Sequence, residues 1–255
     1  MNKLTILAAP MLALSALAAS ASADSGVVID HLGVNNSLIR VTGDGRYLLL
    51  PVEDAGDESR LHLLLDGKQE RTLTVRLAKS KVDYHVPVDL TPYKGHTVTF
   101  NVITPQGRSS IREAKEDACW TSIALSDTFD ISNREKYRPL FHHTPSYGWM
   151  NDPNGMFYKD GVWHLYYQHN PYGSKWQNLS WGHSTSTDLI NWKPEPEAIE
   201  PNGLGLVFSG SCVVDSAGTA GFGKNAVIAL YTSADVSQTQ SLAWSTDDGT
   251  TFNIY

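Results

Sequence analysis

Two similar segments in the second half of the chain constrain its fold more than any other sequence feature. Ser186-Thr187-Asp188 is followed shortly by Trp192, and Ser245-Thr246-Asp247 is followed shortly by Phe252. The two segments lie roughly 60 residues apart, and each comes at the end of a short strand pattern. Repeats of this length that consist of short strands are typical of β-propeller blades. We therefore predict about two blades within residues 137–255, fewer than any closed propeller contains.

Residues 24–130 have a different pattern, which predicts a small β-sandwich. Apolar residues alternate with polar ones over 72–77 and again over 97–102, as expected for strands with one buried face. Asp44-Gly45 and Asp66-Gly67 are dipeptides typical of hairpin turns. The whole chain is therefore predicted to be all-β, with an N-terminal β-sandwich followed by the first blades of an incomplete propeller.

The predicted sandwich contains no cluster of catalytic residue types. We favour a role in structural support over a sugar-binding module, because aromatic residues that could form an exposed stacking platform are few there. A polar linker near 126–135 separates this region from the aromatic-rich stretch that begins at Tyr137.

Residues 1–23 have the features of an export signal. Lys3 provides a positive start, an apolar run covers residues 4–17, and Ala21-Ser22-Ala23 is a small-residue cleavage site. The run is too short for a membrane-spanning helix, and no second long apolar stretch follows, so membrane insertion is not expected. The mature protein is predicted to be periplasmic or extracellular.

The net charge and the numbers and spacing of cysteine and histidine argue against nucleic acid, a disulfide framework and a metal site. The formal net charge is −7, which argues against nucleic acid and suits a neutral polysaccharide. Cys119 and Cys212 are too few for a disulfide framework; one bridge between them is possible, but we favour two buried free thiols. The nine histidines lack zinc-ligand spacing, so neither a metal nor another cofactor is expected.

The segment Trp149-Met150-Asn151-Asp152-Pro153-Asn154-Gly155 combines residue types that suit sugar chemistry. An indole ring can stack on a sugar, an amide can bind hydroxyl groups, and a carboxylate can attack or stabilise an anomeric carbon. The alternative is a surface hairpin, in which Asp-Pro-Asn-Gly forms the reversal and Asp152 only caps the turn.

Several further motifs follow this segment in a fixed order and lead to a family. They are Tyr166-Tyr167-Gln168-His169-Asn170-Pro171, Trp181-Gly182-His183-Ser184, Phe208-Ser209-Gly210-Ser211, Tyr231-Thr232-Ser233 and Gln240-Ser241-Leu242-Ala243-Trp244-Ser245. In order and spacing the chain from Tyr137 to Tyr255 resembles glycoside hydrolase family 32, the invertases, inulinases and levanases that cut β-fructofuranosides.

The resemblance implies a five-bladed β-propeller with an axial pocket and a retaining, two-step mechanism on fructans or sucrose. Asp152 corresponds to the nucleophile, which hydrogen-bond donors should keep ionised. Asn151 and Gln168 correspond to residues that bind fructose hydroxyls. Trp176, Phe208 and Ser209 correspond to pocket residues around the terminal fructose. Taken without the family, Gln168 could be a strand-end cap, Trp176 an ordinary loop aromatic and Phe208 a core residue.

The chain departs from the family pattern in its acidic residues. The family takes a transition-state stabiliser from an Arg-Asp-Pro motif and its acid/base from a Glu-Cys motif, and neither motif follows Asp152. Glu195, Glu197 and Glu200 lie among prolines, which indicates a solvated loop. We therefore expect the N-terminal part of a fructan β-fructosidase. The alternative is a non-catalytic fructan-binding remnant. Linkage preference stays open, and exo attack is the default expectation.

Overall fold

Four antiparallel sheets form the computed structural model, which describes residues 26–132 and 136–255. The predicted export signal, residues 1–23, lies outside the described residues, as does the end of the predicted linker. Among the described residues, no helix has the length and apolar character that crossing a membrane requires.

The first two sheets pack face to face around one hydrophobic core. The five-stranded sheet has the order β1-β2-β7-β4-β5, and the three-stranded sheet has the order β6-β3-β8. Leu61 and Phe100 of the larger sheet pack in one cluster with Leu48 and Val88 of the smaller sheet, and all four are fully buried. Burial of such a side chain stabilises the fold by about 1.5–3 kcal/mol. The bounds are β1 Val27–His31, β2 Asn36–Val41, β3 Tyr47–Val52, β4 Ser59–Leu65, β5 Lys68–Val75, β6 Tyr84–Asp89, β7 Val98–Ile103 and β8 Ala124–Ser126, with the short helix α1 at Ile111–Ala114 and 3-10 turns at Thr91–Tyr93 and Ala118–Thr121.

Only one of the two turns predicted in this region is a hairpin. Asp66-Gly67 joins β4 to β5, and both residues have positive φ, 52° and 81°, as a tight hairpin turn requires. The prediction for Asp44-Gly45 is wrong, because β2 and β3 belong to different sheets. Both edges of β2 are already paired, with β1 and with β7, so the chain crosses to the other sheet.

Each of the remaining two sheets is a four-stranded antiparallel blade. The first blade has the order β12-β11-β10-β9 and the second has the order β13-β14-β15-β16. The prediction of an all-β chain, in which a sandwich precedes propeller blades, is confirmed. The bounds are β9 Trp149–Lys159, β10 Val162–Asn170, β11 Ser180–Ser186, β12 Lys193–Ile199, β13 Leu206–Asp215, β14 Ala226–Ala234, β15 Gln238–Ser245 and β16 Asn253–Ile254.

The repeated Ser-Thr-Asp segments form the turn between the third and fourth strands of each blade. Ser186 ends β11 and Ser245 ends β15. In both turns the serine hydroxyl donates to the aspartate two residues later, at 3.1 Å to Asp188 and 2.6 Å to Asp247. Each aspartate then accepts backbone N–H groups of the turn. The repeat visible in the sequence therefore marks a turn that local side-chain hydrogen bonds stabilise, and it occurs once in each blade.

The two blades share a core of large aromatic side chains. Tyr166 and Trp181 of the first blade are fully buried against Val207 and Tyr231 of the second. The Tyr166 hydroxyl donates to the Gly249 carbonyl at 2.6 Å, which ties the first blade to the last turn of the second. This packing fixes the relative position of the two inner strands, β9 and β13.

Both cysteines are free thiols, as favoured from the sequence. Cys119 lies in the core of the sandwich and Cys212 is partly buried on β13. Burial raises the pKa of each thiol to about 12, which keeps both protonated at neutral pH.

The expectation that Glu195, Glu197 and Glu200 occupy a solvated loop is wrong. Glu195 and Glu197 lie on strand β12, and Glu200 follows directly after it. Pro194 and Pro196 are compatible with this strand because β12 is at the edge of its sheet, where a missing N–H costs little.

Glu197 forms a buried ion pair with His169. The Nδ1 atom of His169 lies 2.5 Å from Glu197 Oε1, and its Nε2 atom lies 2.8 Å from the Tyr147 carbonyl oxygen. The Ser180 hydroxyl donates to the other Glu197 oxygen at 2.5 Å. Burial alone would lower the pKa of His169, but the Glu197 charge and both hydrogen bonds outweigh it and raise the pKa above 6.5. Burial alone would raise the pKa of Glu197, but His169 and Ser180 lower it below 4.5.

We expect Glu197→Gln to destabilise the protein most between pH 4.5 and 6.5, the interval between the ordinary pKa values of the two groups. The contribution of His169 is lost as pH rises through its raised pKa, and that of Glu197 is lost as pH falls through its lowered pKa. The loss of stability at about pH 5.5 should be about 1–3 kcal/mol, because a charge-assisted buried hydrogen bond is removed.

Chemical denaturation of wild type and variant at about pH 5.5 and about pH 8 measures this effect. Glu195→Gln is the matched control, since its carboxylate contacts the exposed Lys193 on the same strand. A stability difference for Glu197→Gln that is equal at both pH values would contradict the ion pair.

Candidate active site

The inner strands of the two blades lie side by side, and each carries a β-bulge at a predicted site residue. On β9 the pairing with β10 runs from Pro153↔Tyr167 to Met150↔His169, which leaves one extra residue at Asn151-Asp152. On β13 the pairing with β14 leaves one extra residue at Phe208-Ser209. A bulge rotates side chains out of the regular alternation, so these bulges turn both pairs of residues toward the same space.

Asp152-Pro153-Asn154-Gly155 lies within strand β9 and does not reverse the chain. The surface-hairpin alternative is therefore wrong. Pro153 is accommodated because β9 forms an edge of its sheet. Gly155 has φ +47°, and a Cβ atom there would lie 2.7 Å from Cys212 Sγ. Its role is to let the two inner strands approach closely.

The Asp152 carboxylate accepts two side-chain hydrogen bonds. The Ser209 hydroxyl donates to Oδ2 at 2.6 Å, and the Asn151 amide donates to Oδ1 at 3.3 Å. The Trp149 indole N–H in turn donates to Asn151 Oδ1 at 3.1 Å, which fixes the orientation of the amide. These donors hold the carboxylate in place.

A cavity of about 260 Å³ opens between the two inner strands. The structure brings all six predicted site residues to its wall, namely Asn151, Asp152, Gln168, Trp176, Phe208 and Ser209. Their individual roles stay predictions. Leu179, Thr232 and Gln238 also line the cavity and were not predicted. Thr232 belongs to a motif used for the family comparison. Gln238 could not be identified as a site residue from the sequence, because a neutral amide at the start of a strand is common.

The aromatic part of the wall consists of Trp176 and Phe208. Their ring centroids are 6.0 Å apart with an interplanar angle of 68°, an edge-to-face contact. The Trp181 indole N–H donates to the Phe208 carbonyl oxygen at 3.0 Å and anchors the bulge from behind. Trp176 keeps 48% of its surface exposed, so its ring is free to contact a ligand.

Gln168 lines the cavity from strand β10. Its side chain is buried, and its amide nitrogen donates to the Val207 carbonyl oxygen at 3.0 Å. This bond joins β10 to β13 at Val207, the residue before the bulge. Gln168 therefore has a structural hydrogen bond in addition to its place on the wall.

Asp152 is the only titratable group among the described residues that line the cavity. A carboxylate held by donors, beside neutral amides and aromatic rings, can act as a nucleophile toward a polyhydroxylated ligand. The described residues contain no cluster of three or more His, Cys, Asp or Glu side chains that could hold a metal ion. Glu195, Glu197 and Glu200 do not line this cavity.

Two family models match the chain. Residues 142–255 match "Glycosyl hydrolases family 32 N-terminal domain", and residues 33–141 match "Domain of unknown function (DUF4980)".

Curated relatives are similar over about half of the chain. A levanase of Bacillus subtilis is 48% identical over 125 residues, which are 48% of this chain and 18% of the levanase. An extracellular exo-inulinase of Aspergillus niger is 41% identical over 158 residues, and the match covers 53% of this chain and 29% of the inulinase. The chain thus spans less than a third of the length of either relative.

Among solved structures, a fructofuranosidase from Schwanniomyces occidentalis in complex with fructose is 46% identical in sequence, with a TM-score of 0.44. That match covers 46% of this chain and 25% of the solved chain.

Proposed function

Residues 142–255 belong to glycoside hydrolase family 32, as the ordered motifs predicted, and from this premise we propose that the full-length protein cleaves terminal β-D-fructofuranosyl linkages in levan, inulin or sucrose. One observation carries the proposal. Asp152 stands on a bulge at the cavity wall, held by Ser209 and Asn151, in the segment through which the family match runs. Similarity to proteins named levanase and exo-inulinase supports a fructose-containing substrate.

In the proposed reaction, a carboxylate oxygen of Asp152 attacks the anomeric carbon of the terminal fructosyl unit. The bond from that carbon to the leaving oxygen breaks, and the leaving oxygen takes a proton from a general acid. Water then attacks the fructosyl ester, and the same group accepts a proton from the water. The product keeps the configuration of the substrate because the anomeric carbon is inverted twice.

The cavity wall supports binding of a single sugar ring. Trp176 and Phe208 offer aromatic faces for the apolar C–H groups of the sugar, and Asn151 and Gln168 lie where amides can bind hydroxyls. Ser209 orients the nucleophile through its hydrogen bond.

The general acid is proposed to come from outside the described cavity wall. A retaining glycosidase typically uses two carboxyl groups about 5–5.5 Å apart. The described wall supplies only Asp152. This single carboxylate is also what favours the second candidate function, a fructan-binding module without catalysis.

The proposal includes export from the cytoplasm. The signal-like residues 1–23 support it, as do relatives that are named extracellular exo-inulinases. Detection of a mature N-terminus at Asp24 in the culture medium or periplasm would test this step.

We expect the full-length protein to release fructose in the β configuration first, with transfer to alcohols at high acceptor concentration. Proton NMR of early product from sucrose, inulin and levan measures both the anomer and the preferred linkage. Early release of the α anomer would exclude the double displacement. Saturable binding of the same sugars without hydrolysis would favour the binding module instead.

A further inference from the structure

The connection between β10 and β11, residues 171–179, carries Trp176 to the cavity wall, and four of its residues contact the N-terminal sandwich. We define residues 171–179 as the Trp176 loop. Within its own blade, the loop is held by the Asn170 side chain, whose Nδ2 atom donates to the Lys175 carbonyl oxygen at 2.8 Å and whose Oδ1 atom accepts from the Tyr172 N–H at 3.0 Å and from Asn178 Nδ2 at 2.9 Å. Strand β13 of the second blade adds the Val207 N–H, which donates to the Leu179 carbonyl oxygen at 2.9 Å, and the edge-to-face contact of Phe208 with Trp176. The remaining anchors belong to a different part of the chain.

The first anchor is Tyr172, whose ring is buried within the hydrophobic core of the sandwich. Its hydroxyl oxygen accepts a hydrogen bond from Arg71 Nη2 at 3.1 Å. Arg71 lies on β5, and its side chain is only 6% exposed. The same guanidinium contacts Glu200 beyond β12, 2.6 Å away, so Arg71 binds the blade at two separate points.

The second anchor is Asn178, whose side chain pairs with the backbone of Thr74. Its Oδ1 atom accepts from the Thr74 N–H at 2.7 Å, and its Nδ2 atom donates to the Thr74 carbonyl at 2.8 Å. The Asn178 side chain thus pairs with β5 as the backbone of a neighbouring strand would, and β5 lies at the edge of its sheet. Asn178 has φ +48°, a conformation that aligns its side chain with β5 at a cost in backbone strain.

Two exposed contacts complete the set. The Ser174 hydroxyl donates to Asp54, and the Gln177 amide donates to Glu58 at 3.2 Å. Asp54 and Glu58 both lie in the connection between β3 and β4 of the sandwich. The anchored positions therefore lie on both sides of Trp176 along the loop.

We infer that the sandwich is a positioning element for the sugar site, which acts by holding the Trp176 loop in its binding conformation. Among the described residues, none from the sandwich lines the cavity, so its action on the site is indirect. A loop that is ordered before the ligand arrives does not lose that conformational freedom on binding. The inference rests on the proposed function only for the identity of the ligand.

Two variants remove the anchors from opposite sides. Asp54→Ala/Glu58→Ala changes only the sandwich, where it also removes the hydrogen bond from Tyr84 to Asp54 and the ion pair of Glu58 with Arg76. Asn178→Gly removes both bonds to Thr74 and the bond to Asn170, while glycine tolerates the positive φ. Asp30→Ala is the control, because it breaks an exposed ion pair with Arg40 at the opposite edge of the same sheet.

The experiment measures hydrogen–deuterium exchange and steady-state kinetics in the full-length protein. Amide exchange in peptides covering 171–179 should rise about tenfold or more in both variants, while core peptides of the sandwich stay protected. The KM for sucrose should rise about tenfold with kcat within about twofold of wild type, because the loop must now be ordered by the ligand. The control should match wild type in both measurements.

A double-mutant cycle with Trp176→Ala separates positioning from general stability. If the anchors act through Trp176, the Asp54→Ala/Glu58→Ala change should raise KM far less in a protein that already lacks the indole. Additive effects on KM would overturn the inference. So would unchanged loop exchange in both variants, or raised exchange with unchanged KM. If wild type cleaves none of the three sugars, the proposed function fails, and the exchange data still decide whether the sandwich holds the loop.

Discussion

Asp152→Asn in the full-length protein should lower kcat for fructoside hydrolysis by on the order of 10⁴- to 10⁶-fold, the scale seen when a catalytic nucleophile is removed. An amide is too weak a nucleophile to form the fructosyl intermediate. The change is nearly isosteric, and the new side chain can still accept the hydrogen bond from Ser209. The carboxylate is exposed to the cavity, so the melting temperature should stay close to that of wild type.

Steady-state kinetics and thermal unfolding of the purified variant measure both parts of this result. Asp160→Asn is the matched control, because Asp160 lies in the turn at the far end of the same hairpin, and asparagine tolerates its positive φ of 50°. Activity of Asp152→Asn within about tenfold of wild type would remove Asp152 from the role of nucleophile.

Features that depend on neighbouring residues could be predicted from the sequence. The Ser-Thr-Asp repeat marks a turn whose hydrogen bonds run between residues two to four apart, so the blades are visible without any tertiary contact. The Asp66-Gly67 hairpin is local in the same way. Asp44-Gly45 has the same local chemistry, but the dipeptide does not determine which sheet the next strand joins.

Features that depend on distant residues could not be predicted. Glu197 is surrounded by prolines in the sequence, but its partner His169 is 28 positions away on another strand. The bonds from the sandwich to Tyr172 and Asn178 join residues 101 and 104 positions apart. Hydrophobic alternation indicates that a face is buried, and it does not indicate which element covers that face.

The site lies between these two cases. Residue types around Asp152 suggested sugar chemistry, whereas the assignment of individual roles came from the family resemblance. The bulges at Asn151-Asp152 and Phe208-Ser209, which turn these side chains into one cavity, have no separate sequence signal. Pro153 and Gly155 instead suggested a turn, because proline and glycine are both common in chain reversals. In this structure Pro153 lies on an edge strand, and Gly155 lies where two strands approach closely.

The polypeptide of residues 24–255, expressed alone, should not hydrolyse sucrose, inulin or levan above background. Departure of the leaving sugar requires protonation of its oxygen, and a general acid typically contributes about 10²–10⁴-fold. Within the described residues the cavity wall holds no such group besides Asp152, which we propose as the nucleophile. The acidic residues of β12 cannot substitute, since Glu197 is engaged by His169 and Glu195 by Thr185 and Lys193.

Release of reducing sugar from the three substrates, compared with the same polypeptide carrying Asp152→Asn, tests this expectation. Equal background rates in both would show that a nucleophile held by Ser209 and Asn151 is insufficient without a second carboxyl group. Hydrolysis that disappears with Asp152→Asn would contradict the prediction, because the acid would then have to come from within these residues. Binding of sucrose or a short fructan by the inactive polypeptide, lost on Trp176→Ala, would separate recognition from catalysis. The reason is that Trp176 and Phe208 form the aromatic part of the wall in this polypeptide, whereas the described wall offers no acid besides Asp152.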